Sequence, residues 1–247
     1  MSAEEQAPPS VHLILMSRAP VPGKTKSRLS PPLSPEQARD FHVACLLDLI
    51  EAARVWRATR QEAGLETRLH LFITPAGSEG AFLEAGVTWP AEMSVHVQEG
   101  ANLGERMERA LELALAEPPR PAWALLVGTD LPLLGVTHFE EALNVLRRAD
   151  IVFGPTIDGG YYLVGAKAPP AGLLQGPRWG TRTVLKDTLH AIRATGHQTG
   201  LISPLLDADT VDEKDTANGR ARDVLRNDAY IHAGDQLHRD GVVGGYY

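Results

Sequence analysis

The sequence predicts one large α/β fold organised on a mostly parallel sheet, and three observations carry that prediction. Ala124 to Val127 is an unbroken apolar run, which suits a strand covered on both faces. Strand-like runs at Val11 to Met16 and Arg68 to Thr74 alternate along the chain with amphipathic helical patterns that open at Ser34 and Asn102. Finally, 247 residues at 43% hydrophobic and 22% charged content are enough for one α/β domain with a substantial core.

Composition removes several function classes. A net charge of −7 lacks the broad basic surface that nucleic-acid binding needs, so no nucleic-acid partner is expected. No apolar run approaches the roughly 18 residues of a membrane span. The polar, acidic start from Met1 to Ser10 has neither the basic head nor the apolar core of a secretory signal, which points to the cytoplasm. The single cysteine, Cys45, excludes an internal disulfide and falls in an apolar helical pattern, so it is expected in the core.

In chain order, the first strand runs into a loop carrying Arg18, Lys24, Lys26 and Arg28, with no acidic residue between Gln6 and Pro35. Four cations in an acidic protein suit a polyphosphate, with Gly23 and the hydroxyls of Thr25 and Ser27 as further donors; a solvated basic turn is the bland alternative. Gly23-Lys24-Thr25 is not a P-loop, because its first glycine would fall at Arg18 and Pro20 and Pro22 remove amides. Ser34-Pro35-Glu36-Gln37 opens a long helix with a capping box, and Phe41, Ala44, Cys45, Leu49 and Ala52 give it an apolar stripe. Asp48 on that helix bonds the basic loop or faces solvent. A short helix near 80–85 and a strand near 94–98 follow. Asn102 caps the next helix, with Glu105 completing its box. Gly104 in the first turn either is merely tolerated or admits a flat ligand such as a nucleobase close to backbone.

The central strand ends at Gly128-Thr129-Asp130, and Pro132 prevents its continuation. Ligands of open α/β sheets sit outside the carboxyl ends of strands, so Asp130 is a candidate metal ligand or base, against a turn-forming role. Thr137 and Glu140 repeat the capping-box pattern for a helix through Arg148. The segment 150–165 reads as two strands joined by Asp158-Gly159-Gly160, either a plain turn or an acceptor site flanked by Tyr161 and followed by Trp179. Residues 183–195 form a further amphipathic helix. Asp207 and Asp209 supply the oxygen ligands that a magnesium or manganese ion on Asp130 would need, with local turn formation as the alternative.

Taken as an ordered set, Pro20-x-Pro22-Gly23-x-x-Lys26-Ser27-Arg28-Leu29, Leu103-Gly104-Glu105-Arg106-Met107, Gly128-x-Asp130-x-Pro132, Gly154-Pro155-x-x-Asp158-Gly159-Gly160-Tyr161-Tyr162-Leu163, Trp179 and Asp207-x-Asp209-Thr210 resembles a bacterial family of largely uncharacterised glycosyltransferases of the GT-A fold, nucleotide-diphospho-sugar transferase-like, some linked to arsenosugar synthesis. That family is similar to the phospholactate guanylyltransferases and the molybdenum-cofactor nucleotidylyltransferases. The resemblance implies a three-layer α/β/α fold with a mostly parallel mixed sheet. It also implies a flexible N-terminus over 1–10, a catalytic domain over 11–215 and a C-terminal extension over 216–247. Residue by residue, it implies phosphate binding by Arg18, Gly23, Lys24, Lys26 and Arg28, and base and ribose binding near Leu103, Gly104 and Arg106. Mg or Mn would sit on Asp130 with Asp209 or Asp207, and the acceptor would face Asp158, Gly159, Gly160, Tyr161 and Trp179. Lys26, Asp130 and Asp158 would be the catalytic groups. Arg18 and Asn102 depart from the family's more usual Lys and Asp while keeping a cation and a capping group.

Two chemistries fit. A nucleotide sugar gives up its sugar to a small acceptor hydroxyl, with Asp158 as base, or a nucleoside triphosphate gives up a nucleotidyl group to a phosphorylated acceptor. The basic loop favours the second and the family label the first; glycosyl transfer is placed ahead. A nucleotide-binding module without turnover is a third reading, and a homodimer is compatible with any of them.

Overall fold

The computed structural model describes residues 8–30 and 33–205. The strands are β1 (Ser10–Arg18), β2 (Thr67–Thr74), β3 (Met93–Val97), β4 (Ala122–Gly128), β5 (Ile151–Pro155), β6 (Tyr161–Ala166) and β7 (Thr199–Leu201). Between them lie α1 (Pro35–Glu62), α2 (Glu79–Glu84), α3 (Leu103–Ala116), α4 (Val136–Leu146) and α5 (Val184–Arg193). The strands form one sheet in the order β3-β2-β1-β4-β6-β5-β7. Every pairing is parallel except those of β6, which runs antiparallel to both β4 and β5. This is the mostly parallel mixed sheet expected from the sequence.

Burial on both faces explains the unbroken apolar strands. Leu13 and Leu15 of β1 and Leu125 and Val127 of β4 pack with Leu46, Leu49 and Trp56 of α1 and Phe139 and Leu146 of α4. Their neighbours Ile14, Met16, Ala124 and Leu126 point the other way, into a layer with Met107, Leu111 and Ala114 of α3 and Ile192 of α5. Adjacent residues of one strand thus serve opposite layers, giving the three-layer architecture.

Local signals decide most element boundaries. In α1 the Ser34 hydroxyl accepts from the Gln37 amide at 3.2 Å, while the Gln37 side chain accepts from the Ser34 amide at 2.9 Å. Asn102 caps α3 by accepting from the Glu105 amide at 3.0 Å. Glu105 does not complete that box on the cap residue, because its carboxylate accepts instead from the Ala101 amide at 2.6 Å. Nor does Thr137 cap α4: the cap lies two residues earlier, at Gly135, whose amide donates to His138 Nδ1 at 3.3 Å. Cys45 is buried, and desolvation pushes its thiol up to about 12, as befits a core residue. Asp48 and Ala44 face solvent. Among the described residues no helix is long and apolar enough to cross a membrane.

Candidate active site

Parallel β1 and β4 lie side by side with Met16 opposite Gly128, so the basic loop and the Asp130 turn leave the sheet at the same edge. A cleft of about 510 Å³ opens there, bounded by Arg18, Thr74, Gln98, Asn102, Leu103, Arg106, Thr129, Asp130, Tyr161 and Trp179. This is the edge at which an open α/β sheet binds ligands.

Asp130 is its electrostatic centre. The carboxylate receives the Lys26 ammonium at 3.4 Å and a hydrogen bond from His42 Nδ1 at 2.7 Å. The Lys26 side chain is 3% exposed, whereas that of Asp130 keeps 42% of its surface open to the cleft. Enclosure among protein atoms works to raise the pKa of Asp130, but the His42 hydrogen bond and the Lys26 charge outweigh it and bring the carboxyl down to about 2. Asp130 is therefore ionised at neutral pH and suited to holding a cation, and it is a poor proton acceptor there.

His42 belongs to a buried polar chain that the sequence reading did not anticipate. Its Nδ1 donates to Asp130, and its Nε2 lies 3.0 Å from the Arg18 carbonyl oxygen and 3.2 Å from Ser17 Oγ. Thr129 Oγ1 donates to Ser17 Oγ at 3.1 Å, tying the turn before Asp130 to the end of β1. Gln98 closes the adjacent wall, with Nε2 donating to the Ser17 and Phe72 carbonyl oxygens at 3.0 and 2.9 Å. The signal for His42 was present, since it shares the inward face of α1 with Cys45, Leu46 and Leu49.

The cleft brings together Arg18, Leu103, Arg106, Asp130, Tyr161 and Trp179, with Lys26 touching Asp130 from beside it. Arg106 is held in place by bonds from Nε to the Gly100 carbonyl at 3.0 Å and from Nη1 to Thr74 Oγ1 at 3.5 Å. Tyr161 and Trp179 meet edge to face at 5.8 Å, and neither Tyr161 Oη nor Trp179 Nε1 finds a partner among the described residues. Burial raises the Tyr161 phenol above its usual range, so it stays protonated and a donor.

Other expected residues lie outside the lining. Gly23, Lys24 and Arg28 are exposed on the basic loop, whose fold is fixed by buried Thr25 donating to the Ala19 carbonyl at 2.7 Å rather than reserving its hydroxyl for phosphate. Gly104 has a packing reason of its own: a Cβ there would stand 1.9 Å from the Leu174 carbonyl oxygen. Gly159 is similarly matched to the Arg182 carbonyl oxygen, at 2.0 Å from a notional Cβ, and Gly160 to Thr156 Oγ1 at 2.9 Å. Asp158 is exposed and spends Oδ1 on its own turn, accepting from Thr156 Oγ1 at 2.5 Å and the Gly160 amide at 3.2 Å. Asp207 and Asp209 lie outside the described residues.

A divalent ion fits the one carboxylate that lines the cleft among the described residues, because Asp130 offers ionised oxygens and magnesium commonly takes one or two carboxylates plus substrate phosphates.

Comparison with known proteins sets this geometry in a family. The family model described as an uncharacterised protein conserved in bacteria (DUF2064) matches residues 58–181, just over half of the 247-residue chain, and the chain belongs to that family. A protein of Desulfovibrio desulfuricans G20, provisionally assigned as a nucleotide-diphospho-sugar transferase, is similar at 25% identity and a TM-score of 0.67, over 92% of this chain and 98% of that one. The 4-diphosphocytidyl-2C-methyl-D-erythritol synthase of Anaerococcus prevotii DSM 20548 shares the fold at 9% identity and a TM-score of 0.52, over 91% and 99% of the two chains. No protein of curated function matches the sequence.

Proposed function

We propose that this member of the DUF2064 family is a metal-dependent glycosyltransferase that takes a nucleotide-diphosphate sugar in the cleft and passes its sugar to a small acceptor. The observation that carries the reading is the Lys26-Asp130-His42 cluster at the joint carboxyl end of β1 and β4, with Arg18 and Arg106 on the walls. Arg18 and Lys26 would bind the diphosphate by charge-assisted bonds. Leu103 and Arg106 would flank base and ribose, and Tyr161 with Trp179 would offer the sugar or acceptor an aromatic wall. Asp130 would hold magnesium or manganese, which supplies Lewis-acid stabilisation of the departing diphosphate when bound. His42 would keep the Asp130 carboxylate aimed at the cleft. Asp158 is not assigned as the base, since it lies outside the cleft lining and its Oδ1 is engaged in its own turn.

Nucleotidylyl transfer is the second reading, favoured by the basic loop with Arg18, Lys24, Lys26 and Arg28, because a triphosphate and a phosphorylated acceptor bring more negative charge. A thermal-shift screen of nucleotide sugars, nucleoside diphosphates and triphosphates, each with and without manganese, tests both. Ligand at 100 times its dissociation constant stabilises by about 2.7 kcal/mol. Manganese-dependent stabilisation by one nucleotide sugar beyond its diphosphate is expected. A preference for one triphosphate would transfer the assignment to nucleotidylyl transfer, and no shift with any of them would refute the nucleotide site. Ligand binding without turnover of any donor would favour a binding module.

A further inference from the structure

A second cluster of titratable groups lies at the opposite end of the sheet. His12 on β1 and His70 on β2 are 0% and 1% exposed, and in the parallel register His70 sits opposite Ile14, one step up the same face from His12. Their nitrogens Nδ1 and Nε2 stand 3.0 Å apart. Glu117, at the carboxyl end of α3, brings a carboxylate oxygen to the pair, so that three donor atoms lie within 4.8 Å of one another. His12 is six residues before Arg18, or about 20 Å away at strand rise, so the cluster is separate from the cleft.

We propose that His12, His70 and Glu117 form a binding site for a borderline transition-metal ion, with zinc the best match. Two neutral imidazoles and one carboxylate are a zinc ligand set, whereas magnesium and calcium take oxygen donors. Donors each about 2.1 Å from one ion stand at most about 4.2 Å apart, and near 3.4 Å in a tetrahedron. The imidazole pair must therefore open by a few tenths of an ångström, and the carboxylate, which stands within 4.8 Å of both nitrogens, must close to about 3.4 Å. When metal-free, one ring donates its single N–H to the other; as the ion binds, that proton passes to the far nitrogen of the same ring, which for His70 is Nδ1, facing His96, so both ligands stay neutral.

The surroundings match what supports ligands elsewhere. His70 Nδ1 meets His96 Nε2 on β3 at 3.2 Å, and the Glu117 carboxylate accepts from Arg68 Nη1 at 3.1 Å, so both ligands are oriented by an outer partner. The ion would tie β1, β2 and the end of α3 together and act on stability rather than on the reacting groups.

The test uses the full chain without a histidine tag, freed of metal by chelation and titrated with Zn²⁺ by calorimetry and with Co²⁺ by visible absorption. One tetrahedral ion per chain, read from the intense d–d bands of Co²⁺, and a raised melting temperature are expected, and excess Mg²⁺ should not compete for that site. Glu117→Gln, at the half-exposed end of α3, should weaken affinity at least tenfold without unfolding the protein, and His70→Asn should abolish it. Asp130→Asn should leave it unchanged. No stoichiometric binding, or binding indifferent to Glu117→Gln and His70→Asn, would overturn the proposal and leave the histidines as a hydrogen-bonded core row.

Discussion

Gly104→Ala separates two accounts of the glycine at the start of α3. The added Cβ would lie 1.9 Å from the Leu174 carbonyl oxygen, whereas Cβ contacts under 3.0 Å essentially never occur, so the 174 segment must retreat by about 1.1 Å. That segment cannot retreat freely. Leu174 is fully buried, and its amide donates to the carboxylate of buried Glu108 at 2.8 Å. Overpacking of this kind costs about 1–3 kcal/mol, and loss of a hydrogen bond to a charged acceptor about 1.5–3 kcal/mol. Alanine returns up to about 1 kcal/mol of helix propensity. The net expectation is a loss of about 1.5–6 kcal/mol, or roughly 3–24 °C in melting temperature for a chain of this length. Urea unfolding and calorimetry measure it directly. Nucleotide affinity should fall as well, because Trp179 follows on the displaced segment. A variant as stable as the parent that had nevertheless lost nucleotide binding would refute the packing account and restore the reading in which the glycine admits a base.

Further outcomes are expected. Glu108→Leu leaves the Leu174 amide and the Gln175 side-chain amide without their acceptor and should cost about 1–3 kcal/mol by urea unfolding; since it releases the same segment as Gly104→Ala, the double variant should lose less than the two losses added, and additivity would show the two sites to be independent. Asp130→Asn should lower kcat on the identified donor by at least about 100-fold, and retention of more than a tenth of the rate would remove Asp130 from the mechanism. Burial holds His12, His70 and His96 below the usual histidine range, with Glu117 opposing in part, so the folded metal-free protein binds fewer protons than the unfolded chain below about pH 6.5. Stability from these groups is complete above that pH and should decline as the pH is lowered from 6.5 towards 5; unfolding curves showing it level or rising over that range would contradict the shifts.

The elements were legible where the signal was local. The Ser34 box, the Asn102 cap and the apolar run before Asp130 each depend on residues within a turn or a strand of one another, and each stands where the sequence put it. Strand β7 escaped notice because three residues at a sheet edge carry no alternation to read. The helix start at Thr137 misled because a Thr-x-x-Glu spacing is also found one residue inside a helix. Within the site, Arg18, Arg106 and Asp130 were readable as charges at the ends of elements. Asp158 and its glycines were ambiguous because turn and ligand loops use the same residue types, and the hydrogen bonds of Asp158 are those of a turn.

By itself the sequence determined the α/β class, the placing of a basic loop after the first strand and of a carboxylate after the fourth, because periodicity, capping and turn chemistry act over a few residues. Only the tertiary structure decided which of those groups meet. His42 and Asp130 are 88 positions apart, and His12 and His70 are 58, so neither pair leaves a mark in any local pattern. Their contacts follow from strand order and register, which side chains from the whole core set together.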